Sequence, residues 1–198
     1  MPWRPLFDWW FGPGRTAAEV AQRRHRLWFG YRASQDREAA ERFGGEVEQA
    51  LAGSLDPWGE HPEGWLALTL LLDQLPRMIH RGTPLAFAGD PRALALAREG
   101  LVRGWERDLA PIRQVFAYLP LEHAEDLASQ ELAVERFDRL YRQAPAGERE
   151  LFAGFLDYAE RHRRVIARFG RFPHRNAILG RESTAQETAF LAEPGSSF

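Results

Sequence analysis

Helix signals follow one another along the whole chain, whereas alternation of polar and apolar residues over the length of a strand is hard to find. Several segments have apolar residues at helical spacing, and each follows a residue that favours the start of a helix. These starting residues are Thr16 with Glu19, Asp36, Pro62, Asp90 with Pro91, Pro111, and Thr184 with Glu187. The connections between these segments are short. The sequence therefore predicts an all-α fold, an irregular array of about eight helices in which residues 1–198 form a single domain.

Two stretches of this helical pattern bear on the candidate site. The run from Trp65 to Leu72 is apolar nearly all round, which predicts a central helix that opens at Pro62 and is bent or ended by Pro76. Further along, the pattern predicts two long helices over roughly 121–142 and 148–169. Because helices joined by a short loop are normally antiparallel neighbours, we expect these two to pack together.

Composition excludes several kinds of chemistry. The chain has no cysteine, and all 26 of its basic residues are arginine, so thiol nucleophiles, cysteine-ligated metals and Schiff-base lysines are excluded. A formal net charge of -2 supplies no positive field for nucleic acid. The N-terminus lacks the pattern of a signal peptide, and the longest apolar stretch, residues 66–72, is too short to cross a bilayer. We therefore expect a cytoplasmic protein with neither a nucleic-acid nor a membrane partner.

Three polar residues share one face of the first predicted long helix. On a helical wheel, His123, Asp126 and Gln130 lie within a narrow arc. The residues that share this face further along the helix are apolar. Polar residues thus begin a stripe that we expect to face the core. On a different side of the helix lie Glu122 and Glu125, which we expect to face solvent or to interact with the dipole of the first helical turn.

A histidine stands in the middle of the apolar stripe of the second long helix. Antiparallel packing brings this residue, His162, towards His123 and Asp126, and a carboxylate that orients an imidazole suits proton transfer. We therefore predict that His123, Asp126 and His162 are largely buried, lie close together and are the candidate catalytic residues. Two alternatives stay open: the side chains form a buried hydrogen-bond network, with Gln130 satisfying a loop, or they hold zinc, iron or manganese.

The densest polar segment of the chain is 168–181, which has four arginines among glycines and aromatic residues. Guanidinium groups match carboxylate or phosphate oxygens in pairs. The segment predicts an anion-binding loop with the candidate ligand-binding residues Arg171, His174, Arg175, Asn176 and Arg181. In the alternative, these arginines cap helix carbonyls and pair with neighbouring carboxylates. Elsewhere, the spacing of Asp73 and Arg77 predicts an intramolecular ion pair rather than a site.

Four segments of the chain resemble a known bacterial family. They are Phe7-Asp8-Trp9-Trp10-Phe11-Gly12, Leu71 through Arg77 with Arg81-Gly82, Phe116 through Asp126, and Arg168 through Arg181. In these segments the chain is similar to the bacterial domain-of-unknown-function family 924, and the resemblance covers nearly the whole sequence. It implies an all-helical, tetratricopeptide-repeat-like fold, and it brings with it no established activity.

The residues themselves favour a pocket for a small anionic molecule. Acid/base catalysis by a His–Asp pair is the best available reaction class, since cysteine and lysine are absent. We expect no cofactor, and no bound metal is needed for a core of this size to fold. An alternative of a different class is a helical scaffold that offers a concave surface to a protein partner. Core-facing histidines favour the pocket, because a peptide groove does not need such costly groups.

Overall fold

The computed structural model describes residues 1–196, and in this part of the chain it contains helices and turns but no strand. The helices are α1 (Arg4–Trp10), α2 (Ala17–Trp28), α3 (Ala33–Ala52), α4 (Pro62–Thr69), α5 (Leu75–Ile79), α6 (Asp90–Arg103), α7 (Pro111–Glu122), α8 (Leu127–Gln143), α9 (Arg149–Phe169) and α10 (Ala185–Leu191). A helical turn joins α4 to α5, so these two form one continuous rod. The all-α prediction is confirmed. None of the described helices is long and apolar enough to span a bilayer.

The rod formed by α4 and α5 lies at the centre of the array. All of residues 64–76 are buried, and α3, α6 and α7 pack around them. Near the N-terminus, three aromatic rings meet Phe116 of α7 edge-on, with ring centroids 4.7 to 5.5 Å apart; they belong to Trp10, Phe11 and Trp28. Such edge contacts add to the stabilisation that burial of the rings supplies. The long helices α8 and α9 pack against each other, as the short loop between them predicted.

We predicted that Pro76 would bend or end the central helix; the rod continues through this proline, so the second of these alternatives is wrong. The residues Leu70–Gln74 form a π-helical turn, in which Leu75 donates its N–H to the carbonyl of Leu70, five residues earlier. A proline inside an α-helix collides with the carbonyl four residues before it, here that of Leu72. The wider π turn gives the proline ring room, and the chain passes into α5 without a break.

Gly89 lies against the same part of the rod. A Cβ atom at this position would stand 2.1 Å from the carbonyl oxygen of Leu72, which no other residue type could tolerate without a shift. The close approach brings Asp90, the first residue of α6, up to the rod.

The long helix predicted over 121–142 is wrong at its start. Helix α7 includes Pro120 and ends at Glu122, and α8 begins only at Leu127. Two side chains explain the break. Asp126 accepts a hydrogen bond from the backbone N–H of Ser129 at 2.8 Å and so caps α8. Gln130 donates through Nε2 to backbone carbonyls at the end of α7 and just after it, those of Leu121, Glu122 and Ala124.

Candidate functional site

The structure gathers charged, imidazole and aromatic side chains into one group, which we call the histidine–arginine cluster. Its members come from the π turn and α5, the segment leading into α6, the end of α7, α9, and the loop after α9. They are Asp73, Arg77, Phe87, Asp90, Glu122, His123, His162, Phe172, His174 and Arg175. Burial of ionisable groups is costly unless they are paired, so the partners of each group decide its charge.

Asp73 is the carboxylate partner of His123. The Nδ1 atom of His123 lies 2.7 Å from Oδ1 of Asp73, and the aspartate is fully buried on the π turn. Burial alone would raise the pKa of Asp73, but the nearby charge of Arg77 and the hydrogen bond from His123 outweigh it and hold the pKa well below its usual range. The aspartate is therefore ionised. Burial, followed by the charge of Arg77, lowers the pKa of His123 although the charge and the hydrogen bond of Asp73 raise it, and the net direction favours the neutral ring.

Arg77 connects the two aspartates of the cluster. Its guanidinium donates to both carboxylate oxygens of Asp90, at 2.8 and 2.9 Å, and one of its nitrogens lies 3.4 Å from Asp73 Oδ1. Burial opposes the charge of Arg77, but the two carboxylates prevail and raise its pKa. The predicted ion pair between Asp73 and Arg77 is therefore present, and it lies inside the candidate site rather than apart from it.

His162 and Glu122 form a second buried pair in the cluster. The ring of His162 lies 6.3 Å from that of His123, and its Nδ1 donates to the carbonyl of Tyr158 at 2.9 Å. Glu122 Oε1 lies 3.3 Å from the same nitrogen. Burial raises the pKa of Glu122 to about 8 and lowers that of His162 to about 3, so both are uncharged at pH 7. The expectation that Glu122 faces solvent is wrong, because the last turn of α7 directs it inwards.

Arg175 is the cation of the cluster with the weakest compensation. Its guanidinium carbon lies over the rings of Phe87 and Phe172, 4.8 and 4.5 Å from their centroids, and its nearest carboxylate oxygen belongs to Asp90, 3.5 Å away. Its Nε has no hydrogen-bond partner within residues 1–196. Burial, followed by the charge of Arg77, lowers the pKa of Arg175 to about 10.

Of the five loop residues predicted to bind a ligand, His174 and Arg175 lie in the cluster. Burial lowers the pKa of His174 to about 4, with Arg175 adding to the effect. Asn176 is buried beside the cluster and donates to the hydroxyl of Ser183.

The other two loop arginines are paired with carboxylates. Arg171 binds Glu187 at 2.6 and 2.8 Å, and Arg181 binds Glu125 at 2.6 and 2.9 Å. Arg171 also lines an open depression of about 420 Å³ at the surface. Because the guanidinium of Arg171 is already paired with Glu187, we take Arg175 and not this depression as the candidate anion site.

Asp126 does not join the two histidines, so the prediction that it is largely buried is wrong. Its side chain is 46% exposed, since its oxygens accept from the N–H and hydroxyl of Ser129 and face Arg98 at 3.6 Å. Asp73 takes the place expected for Asp126. A sequence signal for Asp73 existed, because it is the one charged residue within a run, residues 64–76, that is otherwise apolar or uncharged.

Within the residues that the structure describes, no group of three or more His, Asp or Glu side chains is arranged to hold a metal ion. The metal alternative for His123, Asp126 and His162 is not supported, because Asp126 points elsewhere.

Three side chains of the cluster are in part exposed to solvent. The exposed side-chain fractions are 15% for His123, 19% for Arg77 and 20% for Asp90, whereas that of Arg175 is 7%. Arg175 is therefore the more deeply buried of the two arginines in the cluster.

Comparisons with known proteins agree with the helical fold. The profile of a family described as "Bacterial protein of unknown function (DUF924)" matches residues 6–195. A solved structure of a protein of unknown function, ATU0120 from Agrobacterium tumefaciens, is 38% identical with a TM-score of 0.74, and the match covers 89% of this chain and 96% of that one. A comparison with curated proteins gave no match.

Proposed function

We propose a function for this chain, which belongs to the DUF924 family of bacterial proteins of unknown function. Its histidine–arginine cluster binds a small anionic molecule and moves a proton through His123. The anion lies against Arg175, and the imidazole beside it acts as the base. The family is described as one of unknown function, so only the side chains of this chain support an activity.

The observation that carries the proposal is the incomplete compensation of Arg175. Asp90 is held by Arg77 through both carboxylate oxygens, so it offers Arg175 only a contact at 3.5 Å. The Nε of this buried guanidinium has no partner in residues 1–196. An anionic oxygen placed there makes a charge-assisted hydrogen bond in a region of low dielectric, where the attraction is stronger than in water.

His123 supplies a proton acceptor next to this position. An ionised carboxylate only accepts hydrogen bonds, so the neutral ring of His123 must carry its proton on Nδ1, facing Asp73, and Nε2 keeps its lone pair. Arg175 is near enough for its charge to lower the pKa of His123. A neutral imidazole oriented by a carboxylate is the arrangement that general-base catalysis uses.

We propose Glu122, whose carboxyl lies 3.3 Å from Nδ1 of His162, as the complementary proton donor. Its carboxyl group is protonated at pH 7 because burial raises its pKa to about 8, and it directly precedes His123 in the chain. Two titratable groups whose pKa values are moved apart by their surroundings can divide the roles of acid and base.

Thermal melting in acetate, sulfate and malonate, compared with chloride at equal ionic strength, tests the proposal. A ligand that binds the folded state stabilises it by mass action, by about 2.7 kcal/mol at a hundred times its Kd. We expect at least one of these anions to raise the Tm of the wild type and none to raise that of Arg175→Gln. The matched control Arg171→Gln removes a loop arginine that is already paired with Glu187, so it should keep the anion effect.

Equal Tm values in every salt would contradict the proposal and favour the scaffold alternative, in which the chain binds a protein partner. A shift that persists in Arg175→Gln would also count against it, because the anion would then bind elsewhere. Far-UV circular dichroism establishes beforehand that both variants are helical.

A further inference from the structure

We infer that an exposed strip of aromatic side chains, formed where the end of α2 meets α9, binds an acidic segment of a partner protein. We call it the aromatic strip, and its members are Phe29, Tyr31, Phe155 and Tyr158. None of them belongs to the histidine–arginine cluster, so this inference goes beyond the proposed function and does not rest on it. Two features support it: the exposed rings and the neighbouring arginines that no carboxylate compensates.

The aromatic strip holds the exposed rings of the protein. Among the phenylalanines, tyrosines and tryptophans of residues 1–196, three are at least half exposed, Phe29 at 50%, Tyr31 at 70% and Tyr158 at 53%. Phe29 connects the two helices, because its ring lies 6.1 Å from that of Phe155, which shares a face of α9 with Tyr158. Apolar residues scattered singly over a surface need no partner, whereas a group of exposed rings is typical of an interaction site.

Arginines hold the two tyrosines of the aromatic strip. The guanidinium carbon of Arg81 lies over the ring of Tyr31, 4.9 Å from its centroid, and Arg161 lies over Tyr158 in the same way. Arg81 is fixed in turn by Asp36, which accepts two hydrogen bonds from it at 2.8 and 3.0 Å. These contacts restrict the exposed rings before a partner arrives, so that binding costs less side-chain entropy.

The charge beside the aromatic strip is positive although the whole chain is slightly acidic. Residues 20–35 contain four arginines and neither aspartate nor glutamate, while the chain has a formal net charge of -2. Arg26 stands one helical turn before Phe29, and Arg32 directly follows Tyr31. Within residues 1–196, the side chains of these two arginines make no hydrogen bond and no ion pair. Their free guanidinium groups match carboxylates in pairs, so the surface complements an acidic partner.

The balance of rings and free cations favours a protein segment over a nucleic acid. Nucleic acids gain most of their affinity from many phosphate contacts. The other two arginines of residues 20–35, Arg23 and Arg24, already donate to the backbone carbonyls of Pro13 and Asp8. Protein interfaces depend instead on a few aromatic and arginine anchors. A segment with carboxylates on either side of large apolar side chains therefore fits the aromatic strip and its two free arginines.

Fluorescence anisotropy of three labelled probes of equal length, titrated with the full chain, tests the inference. The probes are a glutamate-rich peptide that contains leucine and phenylalanine, the same peptide with glutamine in place of each glutamate, and oligothymidylate. We expect the acidic peptide to have a Kd at least about tenfold lower than those of the other two probes. Tyr31→Ser, and Arg26→Gln combined with Arg32→Gln, should each raise this Kd by about tenfold, because both remove anchors of the interface.

Two matched controls should bind the acidic peptide as the wild type does. Arg163→Gln removes an exposed arginine that lies five residues after Tyr158 and thus about 140° away around α9. Val102→Ser removes an 89% exposed apolar residue on α6. Arg175→Gln should also bind the peptide normally, which separates this inference from the anion site. Because the substituted side chains are exposed, we expect all strip variants to fold, and far-UV circular dichroism checks this.

Each other result would overturn the inference. Equal binding of the acidic and glutamine peptides would remove the role of the arginines, and tighter binding of oligothymidylate would assign the aromatic strip to a nucleic acid. A wild type that sediments as a dimer, with Tyr31→Ser as a monomer, would assign it to a second copy of the chain. No binding of the acidic peptide, or the same loss in Arg163→Gln and Val102→Ser as in the strip variants, would leave the strip without the proposed partner.

Discussion

Asp73 controls the protonation of its neighbours although none of its surface is exposed. Because Arg77 and His123 keep its carboxylate ionised, the proton of the His123 ring is held on Nδ1. The sequence could relate Asp73 to Arg77, which stands one helical turn away. It could not relate Asp73 to His123, because 50 residues separate the two and only the folded chain brings them together.

At this scale the clearest prediction concerns Glu122 and pH. The pKa of Glu122 is raised from an ordinary 4.5 to about 8, so the folded state binds this proton more tightly than the unfolded chain does. Its contribution to stability is complete below pH 4.5 and is lost as the pH rises towards 8. His162 acts in the opposite sense: its pKa is lowered from 6.5 to about 3, so its contribution is present above pH 6.5 and is lost as the pH falls.

Between pH 6.5 and pH 8 the Glu122 contribution should therefore dominate. We expect the free energy of unfolding of the wild type, measured with urea, to fall by about 1 kcal/mol per pH unit in this range. Glu122→Gln imitates the protonated acid and should remove that slope. Glu160→Gln, at an exposed carboxylate on α9, should retain it. Parallel pH profiles for the wild type and Glu122→Gln would refute the assignment of a protonated Glu122.

Among the elements, some helix bounds were predictable from local signals, whereas the start of α3 was not: the helix begins at Ala33, three residues before the expected cap Asp36. The capping box of Thr184 and Glu187 is confirmed in the structure, and α3 ends at the predicted Gly53. The prediction of a long helix over 121–142 failed although nearby residues set its break, because Asp126 caps α8 and Gln130 binds the end of α7. The break between α7 and α8 depends on Gln130, whose side chain binds carbonyls six to nine residues earlier. Spacing of apolar residues carries no trace of such a contact.

The contact of Gly89 with the π turn leads to a prediction about two glycines. In Gly89→Ala the new methyl group meets the backbone carbonyl of Leu72, so we expect the free energy of unfolding to fall by about 1–3 kcal/mol. Gly154→Ala is the matched control, because Gly154 lies inside α9 with open space around it. Alanine there should leave stability unchanged or raise it by roughly 0.5–1 kcal/mol. Urea denaturation measures the free energy of unfolding of both variants. Equal values would contradict the prediction, because the close packing of Gly89 would then not contribute to stability.

At the scale of the whole molecule, the sequence predicted the all-α class correctly. It predicted only some of the residues that form the cluster. His123 and His162 were predicted to meet because each stands at a local position that faces inwards. Their carboxylate was misassigned to Asp126, since an aspartate that caps a helix and one that binds a buried histidine look alike in a sequence. The cluster also depends on the loop after α9, whose Arg175 reaches Asp90 across 85 residues of chain. The site therefore exists only when the entire array is folded.

The most direct test of the anion site uses the imidazole signals of the protein in nuclear magnetic resonance. The chain has 6 histidines, of which three belong to the cluster, while His25 and His61 are exposed elsewhere and serve as internal controls. Acetate and sulfate are titrated separately at constant ionic strength into the wild type and Arg175→Gln. If the cluster binds an anion, the signals of His123 and its two cluster neighbours shift and saturate in the wild type and stay in place in Arg175→Gln. Shifts confined to His25 and His61, or equal shifts in both proteins, would contradict the account.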